Sequence, residues 1–274
     1  MKIALLGCGV VGGGVLEICD KRSDIALKYV LVRRKIEELG ERAVFDIDTI
    51  INDKEVDTVV EVLGGLSPAF EYVSAALKAG KNVLCEKPAA RILSEAEEML
   101  KVSYETNRIL SIGVCNRYAN SVNHIKQMIA NGDLGDVYHV YASFRAHRSI
   151  PGLGGDFTNS ASSGGGSLID WGVHYIDLIL YCLGDPKPVT ASGEAFSKLG
   201  VDMKNYVYTS MWAENTKDTE NGVYDVDDSV TGLIRTPDSS VISFTGAWAQ
   251  NIGVSDTFID FMGDKGGARL DYCG

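Results

Sequence analysis

Residues 2–12 read K-I-A-L-L-G-C-G-V-V-G, and this stretch decides the fold of the first part of the chain. Four apolar residues lead to Gly7, which is typical of a short buried strand. The pattern G-x-G-x-x-G then opens a segment with helical spacing, and this context indicates a Rossmann βαβ unit that binds a dinucleotide. Its glycines allow a tight turn, a close approach to a diphosphate and close helix packing, while the first helical amides face the anion. The expected diphosphate-binding residues are Gly7, Gly9, Val10, Val11 and Gly12.

Strand and helix periodicity alternate from residue 2 to about residue 115. The predicted strands of this part cover 2–6, 28–33, 58–63, 81–85 and 109–114, and the predicted helices cover 10–20, 68–79 and 94–107. Such alternation is typical of a doubly wound parallel sheet. We therefore predict that residues 1–118 form an NAD(P)-binding Rossmann domain.

The pattern changes after residue 119, where strand-like runs bounded by turn residues predominate. The predicted strands cover 137–145, 189–196, 228–236, 240–249 and 255–262, and the predicted helices cover 120–131 and 168–183. These runs favour a largely antiparallel sheet with few helices. The predicted fold class is therefore α/β, with a Rossmann domain followed by a substrate-binding α+β domain over residues 119–274.

The net charge of −11 at pH 7 disfavours nucleic acid or an anionic membrane surface as the main partner. Of the 274 residues, 45% are apolar and 23% are charged, which are ordinary values for a globular protein. No apolar run approaches the ~18 residues of a membrane span, and the first one is too short for a signal peptide. We expect a cytoplasmic protein that acts on a small molecule.

The six cysteines are scattered, without a C-x-x-C pair or the spacing of a zinc site. This pattern predicts buried free thiols in a reducing compartment. It also predicts that the protein has no structural metal.

Two arginines follow the second predicted strand, which ends V-R-R-K at residues 32–35. Many NAD enzymes place an acidic residue there to bind the adenosine ribose hydroxyls. The guanidinium groups of Arg33 and Arg34 instead suit a 2′-phosphate, so we predict NADP, with NAD as the alternative cofactor. A solvated basic loop is the other explanation. Further expected cofactor contacts lie at or just after the ends of later strands: Leu63, Glu86 and Lys87.

The tripeptide Glu86-Lys87-Pro88 directly follows the predicted strand 81–85. Ligands of this fold lie beyond the carboxyl ends of the strands, so Lys87 is expected to project toward the nicotinamide. An ammonium group there can hold a substrate hydroxyl and stabilise a developing alkoxide. Taken alone, such a tripeptide is usually a surface turn.

A glycine run at 164–166 precedes the sequence S-L-I-D-W-G-V-H-Y-I-D-L at 167–178. Asp170 and His174 are four residues apart, so an α-helix would place them on one face, one turn apart. The histidine could act as a general base on a hydroxyl, and the carboxylate could orient it or bind a neighbouring hydroxyl. A helix-stabilising Asp–His pair fits the spacing equally well.

Together these segments resemble the glucose–fructose oxidoreductase / inositol dehydrogenase (Gfo/Idh/MocA) family. The resemblance extends to the segments C-N-R-Y at 115–118, N-G-D-L-G-D-V at 131–137 and G-D-K-G-G-A at 263–268, so it covers nearly the whole chain. It implies oxidation of a secondary alcohol of a sugar, cyclitol or sugar acid by a nicotinamide cofactor, or the reverse reduction. It further implies that Lys87, Asp170 and His174 form the catalytic set, with His174 taking the hydroxyl proton.

The chain departs from the family pattern in two places. Family chains usually continue beyond the G-x-K-G region, whereas this sequence ends at Gly274. Either part of the second domain is missing or a tail has been omitted. The stretch L-G-G-L-S-P at 63–68 also resembles homoserine dehydrogenase. That enzyme is therefore one alternative, and a non-catalytic NADP-binding sensor or scaffold is another.

Several residues of the second half are candidate substrate ligands. The loop after strand 137–145 carries two arginines that could bind a carboxylate or phosphate, and an aromatic side chain beside Asp170 could stack on a sugar face. Ion pairs with the excess acidic residues, and a place in the core for the aromatic ring, are the alternatives. The candidates are Arg117, Arg145, Arg148 and Trp171. The resemblance also implies a homodimer or homotetramer that pairs through the open face of the antiparallel sheet.

Overall fold

The structure is a computed structural model that describes residues 1–63, 68–209, 219–238 and 240–271. The chain divides into two compact units, unit 1 over Met1–Gly113 and unit 2 over Val114–Gly274. The sequence analysis places the domain boundary between residues 118 and 119. Among the described residues, no helix is long and apolar enough to span a membrane.

Unit 1 contains a six-stranded parallel sheet with the order β3-β2-β1-β4-β5-β6. Its strands are β1 (Lys2–Leu6), β2 (Ala26–Leu31), β3 (Ala43–Val44), β4 (Thr58–Glu61), β5 (Asn82–Cys85) and β6 (Leu110–Ile112). Its helices are α1 (Val10–Lys21), α2 (Ile47–Ile51), α3 (Ala69–Lys78) and α4 (Leu93–Thr106). The strand order reverses between β1 and β4, which is the Rossmann arrangement and confirms the predicted fold class.

The apolar run of β1 reflects a sheet that is covered on both faces. Ile3 and Leu5 pack in one buried cluster, whereas Ala4 and Leu6 pack in another. Alternate side chains of a strand point to opposite faces, so a parallel sheet between two helical layers needs apolar residues at every position. This explains why β1 was recognised from its apolar run and not from an alternation of apolar and polar residues.

The segment between Arg34 and Thr58 contains structure that the sequence analysis missed. A 3₁₀ helix spans Glu37–Arg42, followed by β3 and α2. Both α2 and β3 are too short to show a hydrophobic period. The capping contact that starts α2 is local, because the Asp46 carboxylate accepts the backbone N–H of Asp48 at 2.9 Å.

Unit 2 contains a second six-stranded sheet with the order β12-β11-β7-β10-β9-β8. Its strands are β7 (Val137–Arg145), β8 (Thr190–Phe196), β9 (Ser229–Arg235), β10 (Val241–Ala247), β11 (Asp256–Gly263) and β12 (Gly267–Asp271). Only the β7–β10 pair is parallel in this sheet, so the prediction of a largely antiparallel sheet is confirmed. The strand β12 was not predicted, because only one of its residues is buried.

Helices α5 (Asn120–Ala130), α6 (Ser160–Ser163) and α7 (Val173–Cys182) complete unit 2. The core forms where α5 and α7 pack on one face of the sheet. The predicted helix 168–183 is not a continuous α-helix, because it begins with a π-helical turn over Leu168–Gly172. Turns of this kind recur at functional sites.

Candidate active site

A cavity of about 560 Å³ lies at the carboxyl ends of β1, β2 and β4 in unit 1. This volume falls within the range of small-molecule pockets, and the position is that of a Rossmann cofactor site. The cavity is lined by Gly7, Cys8, Gly9, Leu31, Val32, Arg33, Arg34, Ile36, Phe45, Val62, Leu63, Pro68 and Tyr72. Five of the predicted cofactor residues therefore line one pocket: Gly7, Gly9, Arg33, Arg34 and Leu63.

The glycine loop has a geometry that side chains would obstruct. Gly7 has a φ of +100°, which favours glycine, and its N–H donates to the carbonyl of Leu31 at 3.1 Å. A Cβ atom on Gly12 would lie 2.4 Å from the carbonyl oxygen of Gly7, so the helix can approach the turn only with glycine there. Val10 and Val11 are exposed in the first turn of α1, and no side chain caps that turn. Its amides are therefore oriented for an anion.

The basic residues of the cavity lie in the segment after β2. Arg33 and Arg34 are both exposed and both line the cavity. Phe45, which follows β3, is 62% exposed on the same cavity. The sequence analysis missed Phe45 because the short strand before it gives no periodic signal.

Glu61, the last residue of β4, is a buried carboxyl group beside this cavity. Its side-chain oxygens accept the backbone N–H of Leu63 at 2.6 Å and the thiol of Cys85 at 3.2 Å. Burial raises the pKa of the Glu61 carboxyl, and the nearby charge of Glu86 adds to this effect. The hydrogen bond from Leu63 to Glu61 fixes the backbone after β4, where Leu63 lines the cavity. A charged residue inside the apolar run T-V-V-E-V-L was the signal that could have identified it.

The E-K-P segment leaves the sheet at the carboxyl end of β5. The backbone N–H of Glu86 donates to the carbonyl of Glu61 at 3.0 Å, which continues the β4–β5 ladder by one bond. Gly113 lies against Glu86, because a Cβ atom there would be 2.9 Å from the Glu86 side chain. Lys87 follows as a half-buried residue at the carboxyl edge of the sheet. This is the edge on which ligands of the fold bind.

In unit 2, Asp170 lies within the π-helical turn and His174 lies in the first turn of α7. Both residues are half-buried. The turn Leu168–Gly172 is π-helical, whereas the spacing argument for Asp170 and His174 assumed an α-helix. The indole Nε1 of Trp248 donates to Asp170 Oδ2 at 3.2 Å. The sequence analysis did not foresee this contact, since the two residues are far apart in the chain.

The start of the helix that carries both residues is clamped by Asp227. Its carboxylate accepts the N–H groups of Gly166 and Leu168 at 2.9 and 3.0 Å and the hydroxyl of Ser167 at 2.7 Å. A Cβ atom on Gly166 would lie 1.9 Å from the carbonyl oxygen of Asp227, so only glycine fits there. The carboxylate thus satisfies amides that the helix leaves unpaired. This is the reason for the glycine run.

Two of the predicted substrate arginines form ion pairs within unit 2. Arg117 donates to both carboxylate oxygens of Asp177, from Nε at 2.7 Å and from Nη2 at 2.5 Å. Arg145 donates to both carboxylate oxygens of Asp256, with 2.9 Å from Nε to Oδ1. In each pair, hydrogen bonding to the carboxylate raises the pKa of the arginine.

The third arginine holds two loops together. Arg148 Nη1 donates to the carbonyl of His147 at 2.7 Å and to that of Gln250 at 3.0 Å. Its Nη2 donates to the side-chain oxygen of Asn251. Trp171 is half-buried and packs against both hydrophobic clusters of unit 2. Among the residues that the structure describes, no cluster of three or more His, Cys, Asp or Glu side chains could hold a metal ion.

Two family models match the chain and together cover nearly all of it. The model described as "Oxidoreductase family, NAD-binding Rossmann fold" matches residues 1–114. The model described as "GFO/IDH/MocA C-terminal domain" matches residues 122–269. The chain belongs to the GFO/IDH/MocA family of oxidoreductases. This confirms the predicted resemblance, the nicotinamide cofactor and the assignment as a dehydrogenase.

Relatives within the GFO/IDH/MocA family include proteins named for sugar and cyclitol oxidation. The chain is 28% identical to the "D-glucoside 3-dehydrogenase" of Escherichia coli over 98% of this chain and 77% of that protein. It is also 28% identical to the "scyllo-inositol 2-dehydrogenase (NADP(+))" of Bacillus subtilis, over 70% of this chain and 54% of that protein. The chain thus spans about half of the second relative.

Solved structures of the family share the fold. The crystal structure of GenD2 from gentamicin A biosynthesis, in complex with NAD, aligns with 99% of this chain and 72% of its own. The TM-score is 0.78 at 23% sequence identity. At this identity the likeness supports the fold of the chain and not its substrate.

Proposed function

We propose that this protein transfers a hydride between a nicotinamide cofactor and a secondary alcohol or ketone of an uncharged sugar or cyclitol. The observation that carries the proposal is the family match over residues 122–269, which includes Asp170 and His174. The family relatives named above act on a glucoside and an inositol, both of which carry secondary hydroxyl groups. A homoserine dehydrogenase loses support, because the matched C-terminal domain belongs to another family.

The proposed catalytic residues are Lys87 in unit 1 and Asp170 and His174 in unit 2. His174 accepts the proton of the reacting hydroxyl in the oxidative direction and returns it in the reductive direction. Lys87 donates to the same oxygen and stabilises its developing negative charge. Asp170 binds or orients the substrate. The nicotinamide, when bound, supplies the hydride acceptor or donor.

The proposed cofactor is NADP. The exposed guanidinium groups of Arg33 and Arg34 line the cavity at the end of β2, where the adenosine ribose of a Rossmann cofactor binds. Arginine forms bidentate hydrogen bonds with phosphate, which suits the 2′-phosphate. The relatives are divided, since one is named for NADP(+) and another binds NAD.

Substituting Arg33 with Ala should weaken NADPH binding on the order of tenfold or more, because a charge-assisted hydrogen bond to the 2′-phosphate is lost. NADH binding should change little. The measurement is a fluorescence titration of the wild type and the variant with both cofactors. Arg108→Ala, an exposed arginine of unit 1 away from the cavity lining, is the matched control. Equal weakening of NADPH and NADH by Arg33→Ala would contradict the proposed phosphate contact.

The substrate is proposed to be uncharged because of the arginine contacts in unit 2. Arg117 and Arg145 are each neutralised by a carboxylate, and Arg148 is occupied by two carbonyl groups and an amide. A substrate carboxylate or phosphate would have to compete with these partners. Hydroxyl groups, in contrast, can be bound by neutral donors and acceptors.

A substrate panel tests this proposal. The wild type, with NADP+ and with NAD+, is assayed on matched compounds: methyl glucoside and inositol as neutral substrates, and gluconate and glucose 6-phosphate as anionic ones. We expect kcat/KM to be at least about tenfold higher for a neutral compound, since burying an unpaired anion is costly. A preference for an anionic compound would contradict the uncharged substrate, and cofactor binding without turnover of any compound would favour a sensor.

The proposed assembly is a homodimer or homotetramer. All seven residues of the edge strand β8 are exposed. Unpaired faces and edges of a sheet are commonly covered by another chain. The open face of the sheet in unit 2 is therefore the proposed contact.

A further inference from the structure

Trp248 directly follows β10 and is completely buried, with 0% of its surface exposed. It belongs to a small cluster with Ile150, Leu153 and Val226. Its backbone N–H donates to the carbonyl of Asp228 at 2.9 Å, which fixes the start of the side chain. Burial and this backbone hydrogen bond together fix the position of the Trp248 ring in unit 2.

The polar end of this ring meets the proposed active-site segment. The indole Nε1 donates to Asp170 Oδ2 at 3.2 Å. A buried indole N–H needs an acceptor, and here the acceptor is a carboxylate rather than one of the many backbone carbonyls. A hydrogen bond to a carboxylate favours its ionised form and restricts its rotation.

Two adjacent carboxylates support both partners of this hydrogen bond. The Asp227 carboxylate clamps the turn at Gly166 and Leu168 that leads into Asp170. The Asp228 carboxylate is fully buried and accepts three backbone N–H groups, those of residues 198–200. The Asp228 carbonyl holds Trp248. The adjacent residues Asp227 and Asp228 thus support both the turn that leads into Asp170 and the backbone of its indole donor, Trp248.

We propose that Trp248 is a positioning residue for the reaction: its indole N–H fixes the orientation of the Asp170 carboxylate. This inference rests on the proposed role of Asp170. A tryptophan that served packing alone could be replaced by phenylalanine with a loss of stability and no change at the active site.

The direct test is a ¹H–¹⁵N spectrum of the indole groups at one fixed pH. The protein has three tryptophans, so Trp248→Phe identifies the signal of Trp248. We expect the Trp248 indole proton to shift upfield in Asp170→Asn, because a neutral amide oxygen is a weaker acceptor than a carboxylate. An indole signal at the same position in the wild type and Asp170→Asn would overturn the proposal.

The kinetic test separates positioning from packing. Trp248→Phe should lower kcat roughly tenfold with a smaller change in KM. Val226→Ala, which truncates a buried neighbour in the same cluster, should lower stability with little change in kcat. An unchanged kcat in Trp248→Phe would contradict the proposal. Full activity of Asp170→Asn would instead remove the proposed role of Asp170, while the indole signal would still report on the contact.

Discussion

Replacing Lys87 with Met should lower kcat for alcohol oxidation on the order of 10²–10³-fold, the effect expected when one donor to a developing oxyanion is lost. Lys87 is the second residue after β5, at the carboxyl edge of the parallel sheet. Methionine keeps the unbranched apolar chain and removes the ammonium group. Steady-state kinetics with the preferred substrate and saturating cofactor measure the effect.

Cofactor affinity is the control for this variant. The cavity residues that are proposed to hold the dinucleotide follow β1, β2 and β4, and Lys87 does not line that cavity. The dissociation constant of NADPH should therefore change much less than kcat. Lys87→Arg keeps the charge but presents a wider, planar group, so it should restore little activity. Full activity of Lys87→Met would exclude the proposed role.

The parallel sheet of unit 1 was predictable because its information is local. Its longer strands are rich in apolar residues, and the glycines of the first turn have individual steric reasons, such as the 2.4 Å distance at Gly12. The strand β7 was likewise predicted with the bounds that the structure has, since its residues alternate between the core and the other face. Such alternation is a property of the local sequence and does not depend on contacts with distant residues.

The supporting residues of the candidate site were not predictable in this way. Asp227 clamps the start of a helix that lies 60 residues earlier in the chain, through the hydroxyl of Ser167. Trp248 meets Asp170 over a separation of 78 residues. The same limit applies to Arg145, whose partner Asp256 belongs to a different strand. Such pairs depend on strand order, which composition and periodicity do not encode.

The π turn at Asp170 was not predicted from the sequence. A separation of four residues predicted a shared face for Asp170 and His174 on the assumption of an α-helix, whereas Leu168–Gly172 form a π-helical turn. The π-helical turn coincides with Gly172, where a Cβ atom would lie 2.7 Å from the Leu168 side chain. Nothing in the local residue types distinguishes this turn from an α-helix.

Replacing His174 with Asn should lower kcat on the order of 10²–10⁴-fold in both directions, because the general acid–base group is lost while a side chain of similar size remains. His174 is half-buried in the first turn of α7, which follows the segment that Asp227 clamps. Cofactor binding should be unaffected, since the cavity residues all belong to unit 1. The variant therefore separates proton transfer from dinucleotide binding.

The pH dependence of kcat/KM tests this prediction most directly. Oxidation and reduction need opposite protonation states of the His174 imidazole. Oxidation needs a neutral imidazole, so kcat/KM should fall as the pH drops below the pKa of His174; reduction needs the imidazolium, so kcat/KM should fall as the pH rises above it. Both limbs should disappear in the residual activity of His174→Asn. Limbs that persist in that variant would assign the proton to another group, and Lys87→Met measured over the same pH range would show whether that group is the lysine.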